Sequence, residues 1–103
     1  MSEPFRIHVP ETIDRKVAGW GLSAAFLRRV WRKLNRDLAK DPAEKLRAVT
    51  APWGERLNMY AFTMPDPRKR AVTHTFMFHF KYTPDETALI VVECGHIAKR
   101  QID

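Results

Sequence analysis

The chain opens on a strict alternation. Phe5, Ile7 and Val9 are separated by Arg6 and His8, the period of two of a β-strand, and Pro10 ends the run. Pro10 and Glu11 suit a helix start, and Ile13, Val17 and Trp20 share one helical face, with Gly19 and Gly21 ending that helix. Ser23 is a good N-cap for a second helix. From there Leu27, Val30, Trp31, Leu34 and Leu38 form an apolar stripe of helical spacing, closed by Asp41 and Pro42. The opposite face carries Arg28, Arg29, Arg32, Lys33, Arg36 and Lys40.

Beyond Pro42 the period returns to two. Leu57, Met59 and Ala61 alternate with Arg56, Asn58 and Tyr60. A turn-rich basic loop follows from Met64 to Arg70. Thr75–Tyr82 is the clearest strand: Phe76, Phe78, Phe80 and Tyr82 point one way, and Thr75, Met77, His79 and Lys81 the other. Thr83–Glu86 suits a tight turn with Pro84 at its second position, and Leu89–Cys94 pairs back as an apolar strand. The order is strand, helix, helix, then three hairpin-connected strands, which predicts one α+β domain with both helices on one face of an antiparallel sheet. The aromatic row is the natural inner face, leaving Met77, His79 and Lys81 on an open face.

Composition sharpens this. With 103 residues, 45% hydrophobic and 29% charged, the chain is expected to be a single globular domain over residues 1–103. No apolar run approaches the roughly 20 residues that span a bilayer, and Met1–Val9 carries no signal-peptide core. The single cysteine, Cys94, permits neither an intrachain disulfide nor a cysteine-rich metal site and is expected to be buried and inert. A reducing cytoplasm is the expected compartment. The net charge of +6 points to a polyanion or an acidic protein as partner. No P-loop, dinucleotide fingerprint, Ser-His-Asp ordering or metal cluster is visible, and no cofactor is expected.

Histidine titrates near neutrality, so His79 and His96 are the candidates for proton transfer, with Lys81 beside His79. His8 and His74 read as ordinary strand or loop residues. Lys45, Arg47, Arg56 and the run Arg68, Lys69, Arg70 are candidate phosphate contacts, since nucleic-acid affinity sums over such contacts. The helical cations Arg28, Arg29, Arg32, Lys33 and Arg36 repel one another, with only Asp37 as i,i+4 relief for Lys33, and an acidic partner would relieve them. Trp31 has the register of a core residue, whereas Trp53, in a loop after Pro52, could stack on a base.

The stretch FMFHFKYTPDETALIVVECGH, Phe76 to His96, resembles the RelE/ParE superfamily of toxins from bacterial toxin–antitoxin pairs, as does Lys45-Leu46-Arg47 after the long helix. The resemblance runs loosely from Phe5 to His96. It implies a RelE-like endoribonuclease that cuts messenger RNA on the ribosome and inhibits translation. The ribose 2′-hydroxyl would attack with no metal needed, and an acidic antitoxin would wrap the helical cations. It also implies an alternative, a ParE-like inhibitor of DNA gyrase, or a member that acts only by binding protein. Met77 and Ile97 stand where the family often carries arginines, the family's C-terminal tyrosine has no counterpart, and the loop around Pro65–Arg70 is longer than usual.

Overall fold

The computed structural model describes residues 5–101. Residues 1–4 and 102–103, on which part of the N- and C-terminal readings rests, lie outside the described residues. The elements are β1 (Arg6–His8), α1 (Glu11–Ala18), α2 (Ala24–Leu38), α3 (Pro42–Lys45), β2 (Arg47–Thr50), β3 (Arg56–Pro65), β4 (Val72–Tyr82) and β5 (Ala88–Arg100). The class is α+β, as the pattern predicts. The sheet is larger than predicted and mixed: five strands in the order β1-β5-β4-β3-β2, with β1 parallel to β5 and the other pairs antiparallel.

The helices form where the spacing puts them. The Ser23 hydroxyl accepts from the Phe26 N–H at 3.1 Å, so the second helix starts with one of its orphan donors satisfied. Ser23→Ala is expected to lower stability by about 1 kcal/mol, read as a shift in the urea midpoint at constant slope. The buried row of α2 is Phe26, Val30, Leu34 and Leu38, an i,i+4 series, with Leu27 and Trp31 partly buried beside it. Phe26 therefore does the work expected of Leu27. Pro42 is fully buried and opens α3 rather than merely closing α2.

The core lies between the helices and one sheet face. Phe76, Phe78 and Phe80 are wholly excluded from solvent, packed with Ile13, Val17 and the buried row of α2. The aromatic row is thus the inner face, as predicted. In β3 the alternation holds, and the register decides which row is the inner one. Register pairs Tyr60 with Phe78 and Phe62 with Phe76, so Tyr60, Phe62 and Met64 face the helices, while Leu57, Met59 and Ala61 line the opposite face. The short window around Leu57–Ala61 could not show this, because the deciding residues, Phe62 and Met64, lie beyond it.

The hairpin strands are longer than predicted. The β3–β4 ladder runs out to Pro65↔Thr73, so the basic loop shrinks to a turn over residues 66–71. Ala71 adopts φ 63°, the left-handed region, where an L-residue is disfavoured. The β4–β5 ladder extends from Tyr82↔Leu89 to Val72↔Arg100, with a bulge between His79 and Phe80 that leaves Val92 unpaired against β4. At the Thr83–Glu86 turn the Glu86 N–H donates to the Thr83 carbonyl at 2.8 Å. Among the described residues no helix is long and apolar enough to cross a membrane.

Candidate functional site

The extended hairpin brings together three side chains far apart in sequence. Met64 pairs with His74, and His74 with Ala98, so the start of β4 lies beside the end of β5. His74 is buried, with 4% of its surface exposed. Its Nε2 lies 2.7 Å from Asp66 Oδ2, and its Nδ1 lies 2.7 Å from His96 Nε2. A buried imidazole with both nitrogens engaged is held in one orientation. The hydrogen-bond roles follow from the carboxylate, which when ionised only accepts. In the tautomer with a single His74 proton, Nε2–H donates to Asp66 and Nδ1 accepts from His96 Nε2–H. The lone pair of the chain then stands on His96 Nδ1.

Each member is fixed from outside. The Asp66 Oδ1 accepts from the Arg68 and Lys69 N–H groups at 2.8 and 2.7 Å, a local Asx-type turn. The His74 hydrogen bond, with those two backbone donors, holds the Asp66 carboxyl well below the usual carboxylate range. His96 packs against Trp20 at 5.2 Å and Phe76 at 5.1 Å between ring centroids. Burial first, and the neighbouring His74 second, lower its pKa from the ordinary 6.5, so His96 stays a neutral base at pH 7. The cleft over this chain measures about 350 Å³, with Trp20, Ser23, Arg68 and Lys69 among its walls.

The shift has a sign. Below pH 6.5 the unfolded chain binds a proton at His96 that the folded chain, with its lowered pKa, does not. Stability therefore falls as pH drops from 6.5 through the folded value, and Asp66 adds a further loss only at far more acid pH. Urea unfolding between pH 7.5 and 5 is expected to show this fall, and His96→Gln to flatten it.

His79 and His96, the two candidates for proton transfer, lie on opposite faces. His96 pairs with Phe76 on the helix side, whereas His79 pairs with Glu93 and Met59 on the open face. One residue of parity separates the faces, so the two cannot meet. His74, read as an ordinary strand or loop residue, is the histidine that meets His96. Its signal in the sequence is that it shares the parity of Phe76 and Phe78.

On the open face the lysine beside His79 is paired. Lys81 lies beside His79 as predicted, but it is ion-paired with Glu55, which also accepts from Trp53 Nε1 at 3.2 Å. These hydrogen bonds hold the Glu55 carboxyl low. Trp53, 65% exposed, caps a pocket of about 200 Å³ floored by Val49, Leu57 and His79. The loop that carries Trp53 buries Leu57 on this face, with Ala51 above it. His79 Nδ1 is buried there without a hydrogen-bond partner among the described residues, and Glu93 at the rim pairs with Lys16 of α1.

The remaining cations fall into separate groups. Lys45, Arg47 and Arg56 are exposed, and Arg47 sits opposite Met59 at the far edge of the sheet from His96. Arg68, Lys69 and Arg70 are exposed on the β3–β4 turn beside the histidine cleft. On α2, Arg28, Arg29, Arg32 and Arg36 are exposed, and Arg29, Arg32, Lys33 and Arg36 flank a shallow cleft ending at Met64. Lys33 meets Asp37 at 3.0 Å, as its i,i+4 spacing predicts, and lies over the Phe62 ring at 5.5 Å. Asp37 also accepts from the Tyr60 hydroxyl at 2.6 Å. Burial, then this bond, push Tyr60 up to about 12. For Asp37, burial alone would raise the pKa, but the bonds from Tyr60 and Lys33 together hold it low. Cys94 is buried, and burial raises its thiol pKa.

Asp66 Oδ2, both His74 nitrogens and His96 Nε2 are engaged with one another. Among the described residues no group of three His, Cys, Asp or Glu side chains could hold a metal ion. Comparison with protein-family models, with curated proteins and with solved structures finds no match to this chain.

Proposed function

We propose that this chain is the toxin of a RelE/ParE-like toxin–antitoxin pair and that it cleaves messenger RNA by 2′-hydroxyl attack in the Asp66–His74–His96 cleft. The observation that carries the reading is the carboxylate–imidazole–imidazole chain, which leaves a neutral base, His96 Nδ1, beside the cations Arg68 and Lys69. In the reaction His96 Nδ1 takes the 2′-hydroxyl proton and the oxygen attacks the adjacent phosphorus. The bond from phosphorus to the 5′-oxygen breaks, leaving a 2′,3′-cyclic phosphate. Lys69 is the group left in the cleft to give the departing oxygen its proton, and Arg68 balances charge on the phosphoryl oxygens. Positive charge gained at His96 is spread through His74 toward ionised Asp66, the role a carboxylate plays behind any catalytic imidazole.

The exposed cations of α2 are the surface proposed for an acidic antitoxin segment, with Met64 at the cleft end as an apolar anchor. A second reading has its own support. Met77 and Ile97 occupy positions where RNA-cutting relatives often carry arginines, and the open face presents an apolar pocket under Trp53. Those features fit a gyrase-type inhibitor that binds protein and cuts nothing.

Induced expression in bacteria separates the readings, with growth and primer extension on messenger RNA as the readouts. Growth arrest with discrete cuts, both lost in His96→Gln, is the expected result. Arrest with intact messenger RNA turns the reading to the binder, and unimpaired growth removes the toxin reading altogether.

A further inference from the structure

The histidine cleft does not end at the histidines. In β5, His96, Ala98 and Arg100 follow one another at intervals of two and so share the helix-side face. At about 3.3 Å per residue, Arg100 lies about 13 Å from His96 along the strand. Between them stands Ala98, exposed and too small to obstruct, which floors the first cleft. The second cleft, about 470 Å³, is lined by Lys69, Arg70, Val72 and Arg100. Lys69 lines both clefts, so they adjoin.

This second cleft is held open by backbone. The Gln101 N–H donates to the Ala71 carbonyl at 2.6 Å, and the Asp66 N–H to the Val72 carbonyl at 2.9 Å. The end of β5 is therefore clamped to the turn that carries Lys69 and Arg70. Among the described residues none of Lys69, Arg70 and Arg100 makes an ion pair, and Asp66 is engaged by His74 and two backbone donors. Three like charges lining one cleft favour a bound polyanion.

We propose that Arg70 and Arg100, with Lys69 at the junction of the two clefts, form a second phosphate subsite, which takes a phosphate of the same RNA strand beyond the one attacked at His96. The inference rests on the RNA reading above and adds that the substrate is single-stranded and extended along β5. Arg suits this role because its planar fork can hold two phosphate oxygens at once.

The test uses the full chain and a labelled 2′-O-methyl RNA hexanucleotide, which binds but cannot be cut. Fluorescence anisotropy gives log Kd against log salt. Arg100→Ala and, separately, Arg70→Ala are each expected to reduce the slope by about 0.7, the value for one phosphate contact to a single strand, and Arg100→Lys to retain most of it. An unchanged slope in both alanine variants overturns the subsite. So does displacement of the RNA by polyglutamate as readily as by unlabelled RNA, which would mark the patch as a site for acidic protein. Failure of the nuclease reading looks different. In that case unmodified RNA stays intact while the Arg100-dependent slope persists.

Discussion

His96→Gln is expected to slow RNA cleavage by about 10²–10⁴-fold, the range for loss of a general base. Gln preserves the volume packed between Trp20 and Phe76 but cannot take up a proton. His74→Gln is expected to cost less. It interrupts the link to Asp66 and frees the orientation of His96 without removing the base itself. Asp66→Asn is the most informative of the three. It keeps the backbone turn through its amide oxygen, yet offers His74 no full negative charge. Cleavage by the wild type should rise with pH through a midpoint below the ordinary histidine value, because burial and His74 both disfavour the imidazolium. In Asp66→Asn the rate should fall and the midpoint move lower still, since the charge that offsets protonation is gone. Rates measured on a short single-stranded RNA from pH 5 to 8 check both. A variant that loses rate with no movement of the midpoint would assign Asp66 a purely structural part.

Phe78→Ala is expected to destabilise the fold by about 3–5 kcal/mol, the usual cost of truncating a buried phenylalanine. The ring is fully excluded from solvent and lies 5.4 Å from Trp31, 6.1 Å from Phe62 and 6.4 Å from Trp20, centroid to centroid. It therefore ties α2 and the connection between α1 and α2 to β3. Against a total stability of about 5–15 kcal/mol for a domain of this size, one substitution removes from about a fifth to all of it. Met77→Ala, one residue away on the half-buried opposite face, is expected to cost about 1 kcal/mol. Urea unfolding of the two variants side by side measures the difference between the faces of one strand.

Much of the architecture was legible because it depends on period alone. The alternation Phe76–Tyr82 placed the core face, the stripe Val30–Leu38 placed α2, and Ser23 marked its start. Three elements were not legible. The strand β2 is four residues, Arg47–Thr50, too short to show a period, and it forms because β3 offers it a free edge. The helix α3 is a single turn set by the buried Pro42. The outer half of β5, Gly95–Arg100, carries two cations and no apolar rhythm, and is a strand because it pairs residue by residue with β4 from Val72 to Met77.

The candidate site divides in the same way. His96 and the cations Arg68, Lys69 and Arg70 stood out in the sequence by residue type, as did the helical cations of α2. His74 and Asp66 did not, because their significance lies in partners 22 and 8 residues away. Only pairing register decides whether two histidines share a face: it placed His74 with His96 on the helix side and His79 on the other. Residue type and period, which are local, determined the class of fold, the core row and the basic character of the surface. Tertiary structure alone decided which ionisable groups meet. A hydrogen bond at 2.7 Å depends on strand register and face, and a shift of one residue would have turned the same side chains away from each other.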